Sequence, residues 1–118
     1  MTLDGRRAVI SGGTKGAGAA VVTRLRAAGA ATTVIARHRP DDADDFVQAD
    51  ITTEAGAMAV AERVAALGGA QILVHVAGGS SSPAGGFAAL TEEDWLGELQ
   101  LNLLGAVRLD REIGRAHV

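Results

Sequence analysis

The sequence predicts an α/β fold, a three-layer doubly wound parallel sheet that stops after about four strands. Three observations carry this. Short apolar or β-branched runs alternate with longer stretches of helical period, in the order strand, helix, strand, strand, helix, strand, helix. Four glycines fall within Gly12–Gly18, between the first strand and the first helix. The length, 118 residues, suits one small domain. Crossovers between parallel strands are right-handed, and one half of a doubly wound sheet has strand order 3-2-1-4.

Arg7–Ile10 reads as the first strand. Gly16–Ala28 reads as a helix, with Ala19, Val22, Leu25 and Ala28 on one face and Gly29 as its stop. Thr32–Ala36 is a β-branched second strand. The segment RHRPDDADD is polar and reads as a loop. Phe46–Asp50 is a short third strand. TTEAGAMAVAERVAALGG is a second helix, capped by Thr52 or Thr53 and ended by Gly68 and Gly69. Gln71–Ala77 is nearly continuous in apolar character, as a strand covered on both faces would be. GGSSSPAGG is a flexible loop. Thr91 to Asp94 resembles a capping box opening a third helix. It runs through Trp95, Leu99, Leu103, Leu104 and Val107, and Trp95 and the leucines are expected to pack in the core and at an interface.

Composition removes several function classes. Hydrophobic residues make up 47% of the chain, enough for a core. The net charge is −3 and the ten arginines are scattered, so no nucleic-acid surface is expected. With no cysteine there is neither a disulfide nor a thiolate metal site, and no metal site is expected. No apolar run approaches the ~20 residues that span a bilayer. The start, MTLDGRRAVI, lacks a signal-peptide pattern, so a cytoplasmic, membrane-free protein is expected. There is no tyrosine, and Lys15 is the only lysine.

A strand, then glycines, then a helix is the arrangement that aims backbone N–H groups at a phosphate. The spacing Gly12-x-x-x-Gly16-x-Gly18 is neither G-x-G-x-x-G nor a Walker loop. Ser11-Gly12-Gly13-Thr14-Lys15-Gly16-Ala17-Gly18 resembles the Thr-Gly-x-x-x-Gly-x-Gly motif of the short-chain dehydrogenase/reductase family. Serine replaces threonine and keeps a hydroxyl for a local hydrogen bond to backbone.

The resemblance implies an N-terminal Rossmann half and a nicotinamide dinucleotide. Ser11, Gly12, Thr14, Lys15, Gly16 and Gly18 match the motif, with the glycines making room for the pyrophosphate. At the end of the second strand, Arg37 stands where an acid would favour NAD. Its guanidinium suits a 2′-phosphate, as does Lys15, so NADP is expected first and NAD second. The other reading of RHR is a solvated loop neutralised by Asp41, Asp42, Asp44 and Asp45. Asp50 and Ile51 match the adenine-binding positions, although an aspartate there also serves as a strand end or helix cap. Ala77 and Gly78 match the end of the family's Asn-Asn-Ala-Gly, whereas His75 and Val76 do not. His75 is expected to bond locally, because no acidic partner is evident in the sequence. Asn102 matches the catalytic asparagine that helps hold a relay water, or is an ordinary polar helix residue.

The family's serine and its Tyr-x-x-x-Lys have no counterpart after Asn102. Ser80, Ser81 and Ser82 fall in the wrong loop to be that serine. The expectation is therefore an N-terminal fragment, inactive as it stands, of an oxidoreductase acting on a small-molecule carbonyl or alcohol. A homo-oligomer is expected for the full-length protein. The alternatives are a non-catalytic NAD(P)-binding or regulatory module, and a scaffold that binds nothing. IGRAHV leaves the apolar pattern of the preceding helix and coincides with the translation of a common sequencing adapter, so the expected division is a half-domain at 1–112 and a non-native tail at 113–118. A fourth strand with an unpaired edge predicts marginal stability or aggregation.

Overall fold

The computed structural model describes residues 2–40 and 45–117. The chain forms β1 (Arg7–Ser11), α1 (Gly16–Ala27), β2 (Ala31–Ala36), β3 (Phe46–Gln48), α2 (Glu54–Ala66) and β4 (Ile72–His75). A short 3₁₀ turn at Phe87–Ala89 precedes α3 (Glu92–Leu99). A π-helical segment, Gln100–Leu104, joins α3 without a break to α4 (Gly105–His117). Four residues of the link expected as a polar loop, 41–44, including Asp41, Asp42 and Asp44, lie outside the described residues.

The four strands are parallel in the order β3-β2-β1-β4. The order expected from the sequence is the one found. β1 is central, its register placing Ser11 opposite Ile35 on one side and His75 on the other. Thus the C-terminal ends of β1, β2 and β4 open at the same edge of the sheet.

Alternation along the strands divides the core in two. Ala8, Ile10 and Val34 point toward α1, where Val22 closes the layer together with Phe46. Val9 and Ile35 point the other way, onto Ala57, Val60 and Val64 of α2 and onto Leu109 and Ile113 of α4. Each fully buried aliphatic side chain of this kind contributes about 1.5–3 kcal/mol. The result is the three-layer sandwich that the alternating pattern predicts.

Three expectations are corrected. β4 is only half-buried and pairs with β1 alone among the described residues, so its apolar run does not mark a strand covered on both faces. Trp95, Leu99 and Leu103 are exposed rather than packed in the core, with Leu104 half-buried. Periodicity locates an apolar stripe but not what covers it. Finally, the apolar pattern does not stop at Glu112. Ile113 follows Leu109 by one turn and is buried in the same cluster.

Candidate cofactor site

At the C-terminal edge of the sheet lies a cleft of about 450 Å³. Ser11, Gly12, Thr14 and Lys15 form its floor, and Arg37 stands at the end of β2. Asp50 and Ile51 follow β3, and Ala77 and Gly78 follow β4. These positions span 68 residues of sequence, from Ser11 to Gly78, and the sheet order brings them together. Gly16 and Gly18 do not line this cleft, nor does Asn102, although its neighbours Gly97 and Leu101 do.

The glycines of the loop do different work. Gly12 has φ +77°, and a Cβ there would sit 2.7 Å from the Ala77 nitrogen, so its bareness lets β1 and the β4 loop meet. The Ser11 carbonyl accepts from the Val76 and Ala77 N–H groups at 3.0 Å, clamping the same junction. A Cβ on Gly18 would collide with the Gly12 carbonyl oxygen. Gly16 has φ +59° and nothing within 4 Å of where a Cβ would stand. The expectation that all three glycines make room for a pyrophosphate is thereby narrowed. Space at Gly12 and Gly18 is filled by the protein's own backbone, and only Gly16 faces open space.

Helix α1 begins without a cap. Lys15 holds the extended N-cap conformation, makes no side-chain cap bond, and no acid occupies the first turn. Its leading N–H groups carry partial positive charge, and among the described residues no acid in its first turn offsets it. Ser11 lines the cleft, and its hydroxyl is buried with no hydrogen-bond partner. The local backbone bond expected for this hydroxyl is not made. An uncapped helix end, a bare Gly16 and an orphan hydroxyl fit an anionic group of a dinucleotide.

A side pocket of about 300 Å³ continues from Thr14 and Lys15 past Arg37 and His38 to Arg39 and Pro40. Arg39 lies over the Phe46 ring, 5.5 Å from its centre, a cation–π contact. Of the acids proposed to neutralise this loop, Asp45 faces elsewhere. It bonds Arg7 at 2.8 Å and Thr33 at 3.0 Å, at the opposite end of the sheet.

Asp50 is exposed and shaped by Thr52, whose hydroxyl and N–H donate to one carboxylate oxygen at 2.6 and 2.9 Å. The hydroxyl bond foremost, then the backbone bond, holds its carboxyl below the usual range, aided by Arg37. Thr53, not Asp50, caps α2, accepting from the Gly56 N–H at 3.0 Å. Gly56 escaped the sequence analysis. A Cβ on it would collide with the Asp50 carbonyl, so it lets α2 begin directly against this turn. A glycine inside a helical stretch was the available signal.

Asn102 sits in the π segment, where the Gly105 N–H reaches back to the Gln100 carbonyl. π segments of this kind are frequent at functional sites. Asn102 Oδ1 accepts from the Gly79 N–H at 3.0 Å, and its Nδ2 donates to the Gly79 carbonyl at 2.8 Å. The helix is thus tied to the loop that follows Gly78. His75 does have an acidic partner, correcting the expectation of a local bond. Its Nε2 lies 2.8 Å from Asp110 Oδ1, contributed by α4 35 residues later. No group of three or more metal-ligating side chains occurs among the described residues.

The sequence profile of the short chain dehydrogenase family matches residues 6–116. This chain belongs to that family. It is 35% identical over 130 aligned positions to a galactitol 2-dehydrogenase of Rhizobium johnstonii, covering 98% of this chain and 49% of the relative. It is 48% identical over 56 residues to a probable oxidoreductase of Streptomyces lividans, covering 48% of this chain and 18% of that protein. The ligand-free aldohexose dehydrogenase of Thermoplasma acidophilum has the same fold, with TM-score 0.86 at 21% identity, over 97% of this chain and 45% of its own. The chain thus spans about half or less of the length of these relatives. No described helix is long and apolar enough to cross a membrane.

Proposed function

We propose that this chain is the cofactor-binding half of an NADP-preferring short-chain oxidoreductase, and that it binds the dinucleotide without completing the reaction. The observation that carries this is the uncapped start of α1 beside the bare Gly16, opening into a cleft lined by Lys15, Arg37, Asp50 and Gly78. The leading N–H groups of α1 would hold the pyrophosphate. Lys15 and Arg37 would hold a 2′-phosphate, with bidentate pairing available to Arg37. Asp50 stays ionised well into acid and would accept from the adenine amino group. Backbone at Ile51 and the small Ala77 and Gly78 would complete the walls. The bound cofactor supplies or accepts hydride at a carbonyl or alcohol carbon.

Asn102 is assigned to the proton relay of the full-length enzyme, next to the strand-four loop it clamps. The tyrosine acid and its lysine are not among these residues, since the chain has no tyrosine and its one lysine is Lys15. That same fact favours a second reading, a nucleotide-binding module with no catalytic role. A full-length homo-oligomer acting in the cytoplasm on a small-molecule carbonyl or alcohol belongs to the first reading.

Titration with NADPH and NADH, followed by thermal stability, tests the shared part, because a ligand of the folded state raises stability by mass action. NADPH should stabilise more than NADH, and Arg37→Ala should erase the difference. No stabilisation by either nucleotide would sink both readings. The coding sequence downstream separates them: a serine followed by Tyr-x-x-x-Lys selects the enzyme, and its absence selects the module.

A further inference from the structure

Beside the cleft, a second polar cluster has no part in the assignment above. Glu98 lies in α3, one turn before Asn102. One carboxylate oxygen accepts from the Ser80 and Ser82 hydroxyls, each at 2.5 Å. The other accepts from Asn102 Nδ2 at 3.0 Å. The serine hydroxyls foremost, with the Ser81 and Ser82 backbone, hold this carboxyl below its usual range. Ser80, Ser82 and Glu98 line an open pocket of about 170 Å³ that shares Gly97 and Leu101 with the cofactor cleft.

A carboxylate accepts on both oxygens, which suits three donors arriving from two elements. Together with the Gly79 pair, it also selects one orientation of the Asn102 amide. A flipped amide would turn Oδ1 toward the Glu98 carboxylate and carbonyl, both of which now accept from Nδ2. The serine loop is bounded by Gly78 and Gly79 before it and Gly85 and Gly86 after it. Apart from the Asn102–Gly79 pair, the hydrogen bonds from its described side chains to α3 all end on Glu98.

We propose that Glu98 is a positioning residue. It orients the Asn102 amide and pins the Ser80–Ser82 loop to α3, so that the cleft wall at Ala77 and Gly78 is set before a nucleotide arrives. Only that last clause rests on the cofactor assignment.

The test uses the ¹⁵N-labelled full chain, Glu98→Ala and the double variant Ser80→Ala/Ser82→Ala. In Glu98→Ala the Asn102 side-chain amide pair should shift and exchange faster with water, and residues 80–82 should gain fast backbone motion. NADPH affinity should fall about fivefold, the scale of one net hydrogen bond. The double variant should free the loop while leaving the Asn102 pair in place. Unchanged Asn102 and loop signals in a folded Glu98→Ala would overturn the proposal. Should that variant fail to fold, the double variant and an acid titration of the native chain decide. The Asn102 pair must move as pH falls through the lowered pKa of Glu98, below the ordinary glutamate range, and a flat titration rejects the proposal. Absence of NADPH binding to the native chain would reject the cofactor assignment alone, because the amide signals judge Glu98 independently.

Discussion

Helices α1, α2 and α3 begin in different ways. α2 starts with Thr53 capping its first turn and Glu54 within it. α3 starts with a full capping box, Thr91 and Asp94 exchanging bonds at 3.1 and 2.9 Å, and with three acids in its first turn. α1 has neither cap nor acid, and a lysine stands at its N-cap. Two helix ends satisfy themselves, and the third leaves its N–H groups and positive end open toward the cleft. Stability forgone at α1 is what an incoming anion could recover.

The contrast breaks most severely at Gly18. Glycine here lets the Gly12 carbonyl lie against α1. Gly18→Ala should destabilise the fold by about 3 kcal/mol through overpacking against backbone, read by urea denaturation. A smaller and more pointed change is Lys15→Ser, which gives α1 the cap that α2 already has. Stability should rise by about 1 kcal/mol while NADPH affinity falls severalfold. Both moving in the same direction would refute the contrast. Thr91→Ala removes a cap far from the cleft. It should cost about 1 kcal/mol and leave nucleotide affinity unchanged.

The smallest effect is the pH dependence of Asp50. Its folded-state pKa is lowered from 3.8. Its stabilising contribution is therefore complete above the unfolded value and lost as pH falls through the lower folded one. Asp50→Asn should remove that acid limb, and because the group is exposed the difference should shrink in high salt.

The sheet order was legible because strand and helix periods alternate cleanly and each crossover has one hand. Nine of the residues matched to cofactor positions line one cleft, since motif spacing and strand ends locate them without knowledge of packing. What escaped was set by distance through space. The bond of His75 to Asp110 joins β4 to α4, and nothing local announces it. Glu98 looks like any helix-surface acid until the serine loop folds onto it. The division of labour among Gly12, Gly16 and Gly18 depends on which backbone lies opposite each. The exposed stripe of Trp95, Leu99 and Leu103 was legible as apolar, but its burial was not.

The most direct test is a map of backbone amide shifts as NADPH is added to the chain. The largest changes should fall on Gly16, Ala17 and Gly18, followed by Arg37 and Gly78. The capped first turns, Glu54–Gly56 and Glu92–Asp94, should barely move. Shifts concentrated at either capped helix, or spread without focus at α1, would contradict the claim that the open end of α1 is the anion site.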